Sequence, residues 1–224
     1  MSRIIVFCTL LLTGCQLNVP NINFRYYDDG REKPIVTLIP MFNRMDLPFT
    51  WDISTELTEQ LRNDLQKKGA LFLSSTETGE AITGSLSDEE QPFSNDYSWV
   101  KNFFQKEQFL VFLELVEHEI SPQSVKIPFS QEVKSTYLLK MLVRARIIDL
   151  RSPKPSIILQ EFIRYSHKIP TNSLQIDYEK NCFGTPNYPA TPIAVGHRGL
   201  CKEIAKRLED CLLYTSPSPR DLST

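Results

Sequence analysis

The sequence predicts an α+β domain in which a mainly antiparallel sheet is packed on one face by two long helices. Three observations carry this. A strand, a helix with an apolar stripe and a second strand follow one another between Pro34 and Ser74. The stretch Thr136 to Leu150 alternates apolar and polar side chains with the period of a half-covered strand. A second striped helix opens at Thr191-Pro192.

In chain order, Gln16 to Lys33 is polar and aperiodic and reads as a tether, either free or packed on the domain through Phe24, Tyr26 and Tyr27. Pro34 to Met41, PIVTLIPM, is rich in β-branched residues and predicts a strand covered on both faces. Thr50 to Lys68 predicts a helix with Thr50 as N-cap. Its stripe is Ile53, Leu57, Leu61 and Leu65, and Gly69 is its stop. Ala70 to Ser74 returns as a strand and completes a βαβ unit. Ala81 to Leu86 is a further short strand, Ser87 to Asp96 an acidic loop, and Tyr97 to Lys106 a short aromatic helix.

Phe109 to Ile120 predicts a long strand, and Ser121 to Glu132, with Pro122 and Pro128, a hairpin loop. In Thr136 to Leu150, Tyr137, Leu139, Met141, Val143, Ala145 and Ile147 make the core side. Lys140, Arg144 and Arg146 lie on the wetter side with Leu142. Ser156 to His167 is the next strand, with Ile157, Leu159, Ile163 and Tyr165 on one face. Ile169 to Ala190 is irregular, and a loop of that length inside a domain is often functional. Thr191 then caps a helix whose stripe is Ile193, His197, Leu200, Cys201, Ile204, Ala205 and Leu208, weakened early by Gly196 and Gly199.

Composition bounds the function classes. The 224 residues are 41% hydrophobic and 23% charged, as in a globular protein. Lys and Arg total 25 against 27 Asp and Glu, so no basic nucleic-acid surface is implied. Of the five cysteines, Cys182 and Cys201 form a candidate disulfide in an exported chain. His118, His167 and His197 show no metal-ligand spacing, which predicts no metal. No nucleophile elbow, phosphate loop or dinucleotide fingerprint occurs, so no catalytic residue and no cofactor are assigned. Two sets of side chains remain as candidate contacts. The row Lys140, Arg144 and Arg146 suits an acidic partner or a lipid headgroup, or is simply the wet side of a sheet. The rings of Trp99, Phe103, Phe104, Phe129, Tyr178, Phe183 and Tyr188 lie in irregular segments. They are either partner hot spots or caps on the core.

The amino terminus gives an address. Arg3, the apolar run Ile4 to Leu12 and the small residues after it make a secretory signal. The run is nine residues long. It reaches only about 14 Å as a helix, against about 30 Å for a bilayer core. Leu12-Thr13-Gly14-Cys15 resembles the bacterial lipobox. The resemblance implies removal of residues 1–14 and a covalent lipid on Cys15. Residues 15–33 then become a lipidated tether and 34–210 one envelope domain. Gln16, where related lipoproteins kept at the inner membrane carry Asp, implies the periplasmic side of the outer membrane. Leu212 to Asp221, LLYTSPSPRD, resembles a peptide produced when a read runs into sequencing adapter, which makes 211–224 a non-native tail or else a native flexible one.

The motifs IVTLIPMFNRM (Ile35 to Met45), LTEQLRNDLQKKGALFLSS (Leu57 to Ser75), ITGSL (Ile82 to Leu86) and LVRARIIDLRSPKPSIILQ (Leu142 to Gln160) resemble those of a group of envelope proteins. The group comprises the lipopolysaccharide-assembly and curli-secretion lipoproteins, the activator lipoproteins of penicillin-binding proteins and the amino-terminal domain of the Tol translocation protein. The chain is also similar to an uncharacterised lipoprotein family of chlamydia-like bacteria. The resemblance implies a non-enzymatic scaffold or assembly factor with an outer-membrane or periplasmic protein partner. The alternative is an envelope hydrolase or lipid-handling enzyme whose site is built from scattered residues.

Overall fold

In a computed structural model, which describes residues 23–75, 91–104, 107–126 and 133–215, a long meander forms the frame. Strands β4 (Phe109–Lys126), β5 (Val133–Asp149) and β6 (Ser156–Ile169) pair antiparallel along nearly their whole lengths. β1 (Ile35–Leu38) lies parallel to β4, and β3 (Phe72–Leu73) parallel to β1, which gives the order β3-β1-β4-β5-β6. β2 (Phe42–Asn43) also pairs parallel with β4, further along it. The break between β1 and β2 falls at Pro40, which has no N–H for the ladder. The fold is therefore α+β, with a mixed and mostly antiparallel sheet.

Helix α1 (Ile53–Lys68) connects β2 to β3 and completes the expected βαβ unit. Its N-cap is Asp52 and not Thr50: the carboxylate accepts from the Ser54 and Thr55 amides at 3.0 and 3.1 Å. Gly69 ends the helix in the left-handed region at φ 69°, where a Cβ would be strained. Ile53, Leu57, Leu61 and Leu65 are all buried against the sheet. Truncating any of the three leucines to Ala should cost about 2–5 kcal/mol.

Helix α3 (Pro192–Thr215) covers the same face. The glycines that weaken its propensity are where it meets the sheet. A Cβ on Gly199 would lie 2.0 Å from the Tyr165 hydroxyl, and one on Gly196 2.8 Å from Leu139. The close approach of helix to strand thus depends on the missing side chains. The helix runs past Asp210, and Leu212 is fully buried in the main core, so the boundary drawn at 210 falls inside α3.

Among the described residues, the opposite face of the sheet is only half covered. Segment 91–104, with the one-turn helix α2 (Val100–Phe103), packs Trp99, Val100 and Phe104 on Leu110, Phe112, Ile148 and Leu150. Three sequence expectations change on this face. β4 does not end at Ile120 but runs to Lys126, with Pro122 opposite Tyr137. Proline is tolerated there because β2 pairs only as far as Leu115, leaving that margin of β4 an edge. A register shift between Ile147 and Ile148 turns Ile157 away from Leu159 and into the second cluster. Finally, Arg146 is not on a wet surface: it is 2% exposed.

Candidate functional site

Where α1, α3 and β4 meet, the helix-covered face holds a buried polar cluster. Glu56 projects from the shoulder of the α1 stripe and His197 from within the α3 stripe, and both side chains have no exposure. The Glu56 carboxylate accepts three hydrogen bonds: from His197 Nδ1 at 2.8 Å, from Trp51 Nε1 at 2.8 Å and from the Tyr188 hydroxyl. His197 Nε2 lies 2.9 Å from His118 Nε2. Phe49 stands edge-on to His118 with ring centroids 5.5 Å apart, and Trp51 edge-on to Tyr188 at 5.3 Å.

A β-bulge aims His118 into this cluster. From Leu115, strict alternation would turn Glu117 toward the helices. The register shifts between Leu115 and Glu117, so that His118 pairs with buried Met141 while Val116 is displaced and 41% exposed. One extra residue exchanges a carboxylate for an imidazole in the core.

The electrostatics follow from these contacts. Burial opposes ionisation of Glu56, but the donors His197, Tyr188 and Trp51 together hold its carboxyl below the ordinary carboxylate range. Burial, then repulsion from His197, lowers His118 to about 4, so His118 is neutral at pH 7. Burial and the neighbouring Glu56 charge push the Tyr188 hydroxyl up, which keeps it a donor. With Glu56 ionised, His197 carries a proton on Nδ1, and one further proton is shared between the facing Nε2 atoms. The unit fastens α1, α3, β4 and the turn Tyr188–Ala190 to one another. Its Glu56 and His197 side chains are shut away from solvent, and in this arrangement the unit clamps these elements together.

The sequence placed His118 and His197 on separate elements and Glu56 early in the first helix, where the dipole favours negative charge, with nothing to link the three. The available signal was a histidine inside one apolar stripe and a glutamate beside another, two polar groups that need a partner when buried. Among the described residues no group of His, Cys, Asp and Glu has a metal-holding arrangement.

The other candidate residues scatter. Trp99 and Phe104 are core of the second cluster, Tyr188 belongs to the clamp, and Tyr178 packs half-buried beside Phe49 and Trp51. Phe183 is half-buried against Tyr188, and Phe103 alone of the described rings in this set is exposed. Phe129 and Cys15 lie outside the described residues, as does the strand expected at Ala81 to Leu86. The Cys182–Cys201 bridge is not formed: both thiols are free, and Cys201 is buried with its sulfur 3.6 Å from the Leu57 carbonyl. Burial pushes the Cys201 thiol up.

The basic row divides. Arg146 gives Nε to Gln160 at 2.8 Å and its other donors to the carbonyls of Pro92, Phe93 and Ser94 at 2.8, 3.1 and 2.7 Å. Arg144 stacks over Phe93 at 4.5 Å and faces Glu114 at 3.8 Å. Lys140 stays half-exposed. Beyond Arg144 the described residues leave the face open. A groove of about 250 Å³ is lined by Arg44, Met45, Glu114, Val116, Arg144 and Phe162, and Phe162 is 52% exposed.

No helix among the described residues is long and apolar enough to cross a membrane. Among curated proteins there is no match. Solved structures do match. The hypothetical protein CT253 of Chlamydia trachomatis is 22% identical with a TM-score of 0.63, over 82% of this chain and 99% of that one, and shares the fold. The minor lipoprotein of Acinetobacter baumannii is 13% identical with a TM-score of 0.37, over 79% and 92%. Lipoprotein GNA1162 of Neisseria meningitidis is 12% identical with a TM-score of 0.39, over 77% and 99%. The chain belongs to a family of unknown function, DUF7499, which matches residues 22–216.

Proposed function

We propose that this DUF7499 protein is a lipid-anchored, periplasm-facing scaffold or assembly factor that serves an outer-membrane complex through protein contacts. The observation that carries the reading is the half of the sheet that the described residues leave open. There Val116 and Phe162 stand exposed beside the charged side chains of Glu114, Arg144 and Arg44. An apolar floor with a charged rim is the make-up of a contact surface, and an exposed aromatic is the usual anchor of one. The clamp supports the same reading, because its acid and bases are committed to joining secondary structure. The lipid address rests on Cys15 and the segment before it.

The test is crosslinking in cells from a photoreactive residue at position 162, followed by identification of the adduct. An envelope protein captured by the wild-type chain and lost on Val116→Ser or Arg144→Gln, at unchanged thermal stability, is the expected result. Absence of any adduct, or hydrolytic activity in the purified protein, moves the reading to the envelope hydrolase or lipid-handling enzyme. Labelled palmitate should enter the chain and be lost on Cys15→Ala.

A further inference from the structure

The segment that enters the first strand is pinned to the domain and holds two rings in water. The Leu73 amide and carbonyl point away from β1, on the outer margin of β3, and Asn23 takes both. Its Nδ2 donates to the carbonyl, and its Oδ1 accepts from the amide at 3.3 Å. The hydroxyl of Tyr27 donates to the Ala70 carbonyl at 2.7 Å. The chain then doubles back: the Lys33 amide donates to the Arg25 carbonyl at 2.9 Å, and Tyr26 is bridged to Glu32. Phe24 and Tyr26 are left 60% and 55% exposed, more than Phe162 on the open sheet face.

Neither ring joins a hydrophobic cluster of the described residues. Exposed apolar rings on a fixed backbone mark a contact surface. The charges beside them cancel. Arg25, Arg31 and Lys33 stand against Asp28, Asp29 and Glu32, and the pairs Arg25–Glu32 and Arg31–Asp29 each close to 2.7 Å. A neutral surface gives a highly charged partner little to hold. It suits the interface of a bilayer, where aromatic side chains settle at the headgroup level. The way to a bilayer is also short. Asn23 is eight residues on from Cys15, so an extended chain spans at most about 29 Å between them. A lipid on Cys15 would keep the rings at a high effective concentration beside the membrane, so weak partition of each is enough.

We infer that Phe24 and Tyr26 dock the β3 edge of the domain onto the lipid surface in which Cys15 is anchored. The inference rests on the lipid address assigned to Cys15. It also bears on the open face. Phe162 lies on β6, at the opposite edge of the sheet. Four strand spacings, about 19 Å, separate the two edges. Docking through β3 therefore holds Phe162 away from the bilayer and available to a protein partner.

The experiment places the lipidated full chain in phosphatidylcholine vesicles with brominated acyl chains and reads the fraction of tryptophan emission quenched. Trp51 and Trp99 set the wild-type background. Phe24→Trp and Tyr26→Trp should each be quenched at least about twofold more than wild type, and Phe162→Trp no more than wild type. The excess should persist in molar salt, where the screening length is about 3 Å. All three positions are exposed, so the variants should keep the melting temperature, measured alongside. A lipidated chain quenched no more in Phe24→Trp than in wild type, or equally in Phe162→Trp, overturns the docking and leaves the anchor standing. So does an excess lost in salt, or a photoreactive residue at position 24 that captures an envelope protein in place of lipid. An intact mass without lipid on Cys15 overturns both.

Discussion

The two faces of the sheet bury charge in opposite ways. On the helix side, Glu56 is matched by side-chain donors from His197, Tyr188 and Trp51, and the cluster includes His118, which burial keeps neutral at pH 7. On the other side, Arg146 has no counter-ion among the described residues. Its charge is dispersed over three backbone carbonyls and an amide, none of which titrates. The first arrangement joins elements distant in sequence and is sensitive to acid. The second pins one covering segment and is not.

Removing one partner from the titratable side should have the largest effect. Glu56→Leu leaves the Trp51, Tyr188 and His197 donors without an acceptor and is expected to cost about 3–5 kcal/mol in denaturant unfolding. A loss near the cost of an ordinary surface substitution would show that water reaches the cluster.

Acid should act on the same side. His118 falls from 6.5 to about 4 on folding, so between those values the unfolded chain binds a proton that the folded chain does not. Stability is complete above 6.5 and declines as pH falls toward 4, by about 3 kcal/mol at most. Glu56, held below its unfolded range, adds a further loss at lower pH. Urea unfolding across this range should show the slope in the wild type and a flatter profile in His118→Gln. Equal slopes would assign the acid sensitivity elsewhere.

On the backbone-satisfied side, Arg146→Met should cost about 2 kcal/mol and leave the pH profile unaltered. Proteolysis in segment 91–104 should rise, since Pro92, Phe93 and Ser94 lose their common donor. Protection unchanged in that segment would mean that Trp99 and Phe104 hold it unaided. The smallest effect belongs to the uncovered half: Phe162→Ala should change stability by no more than about 0.5 kcal/mol. A larger loss would place that ring in the core.

The legible parts of the chain were those where one period runs uninterrupted. The α1 leucines and the alternation of β5 both obey it, and those residues are buried as expected. Reading failed where a single extra residue reset the phase. The shift after Leu115 decides that His118 faces inward, and the shift before Ile148 decides where Ile157 points. Neither leaves a glycine or another local mark. Arg146 misled for a different reason: its place in the polar phase of β5 is correct, but its cover comes from 91–104, which has no periodic tie to that strand. The clamp was invisible because its members come from α1, the turn before α3, α3 itself and β4, and partnership between buried polar groups is not written in any one of them.

The strand order carries a kinetic consequence. The β4–β5–β6 meander links neighbours in sequence through short connections, whereas β1 must find β4 across the whole intervening βαβ segment. Closing the longer loop has the greater entropic cost, and non-local pairing is slower. The meander is therefore expected to assemble first, with β1 closing the sheet late. Pulsed amide exchange during refolding should protect Val143 before Val36. Simultaneous protection would show that sheet and helices condense in one step.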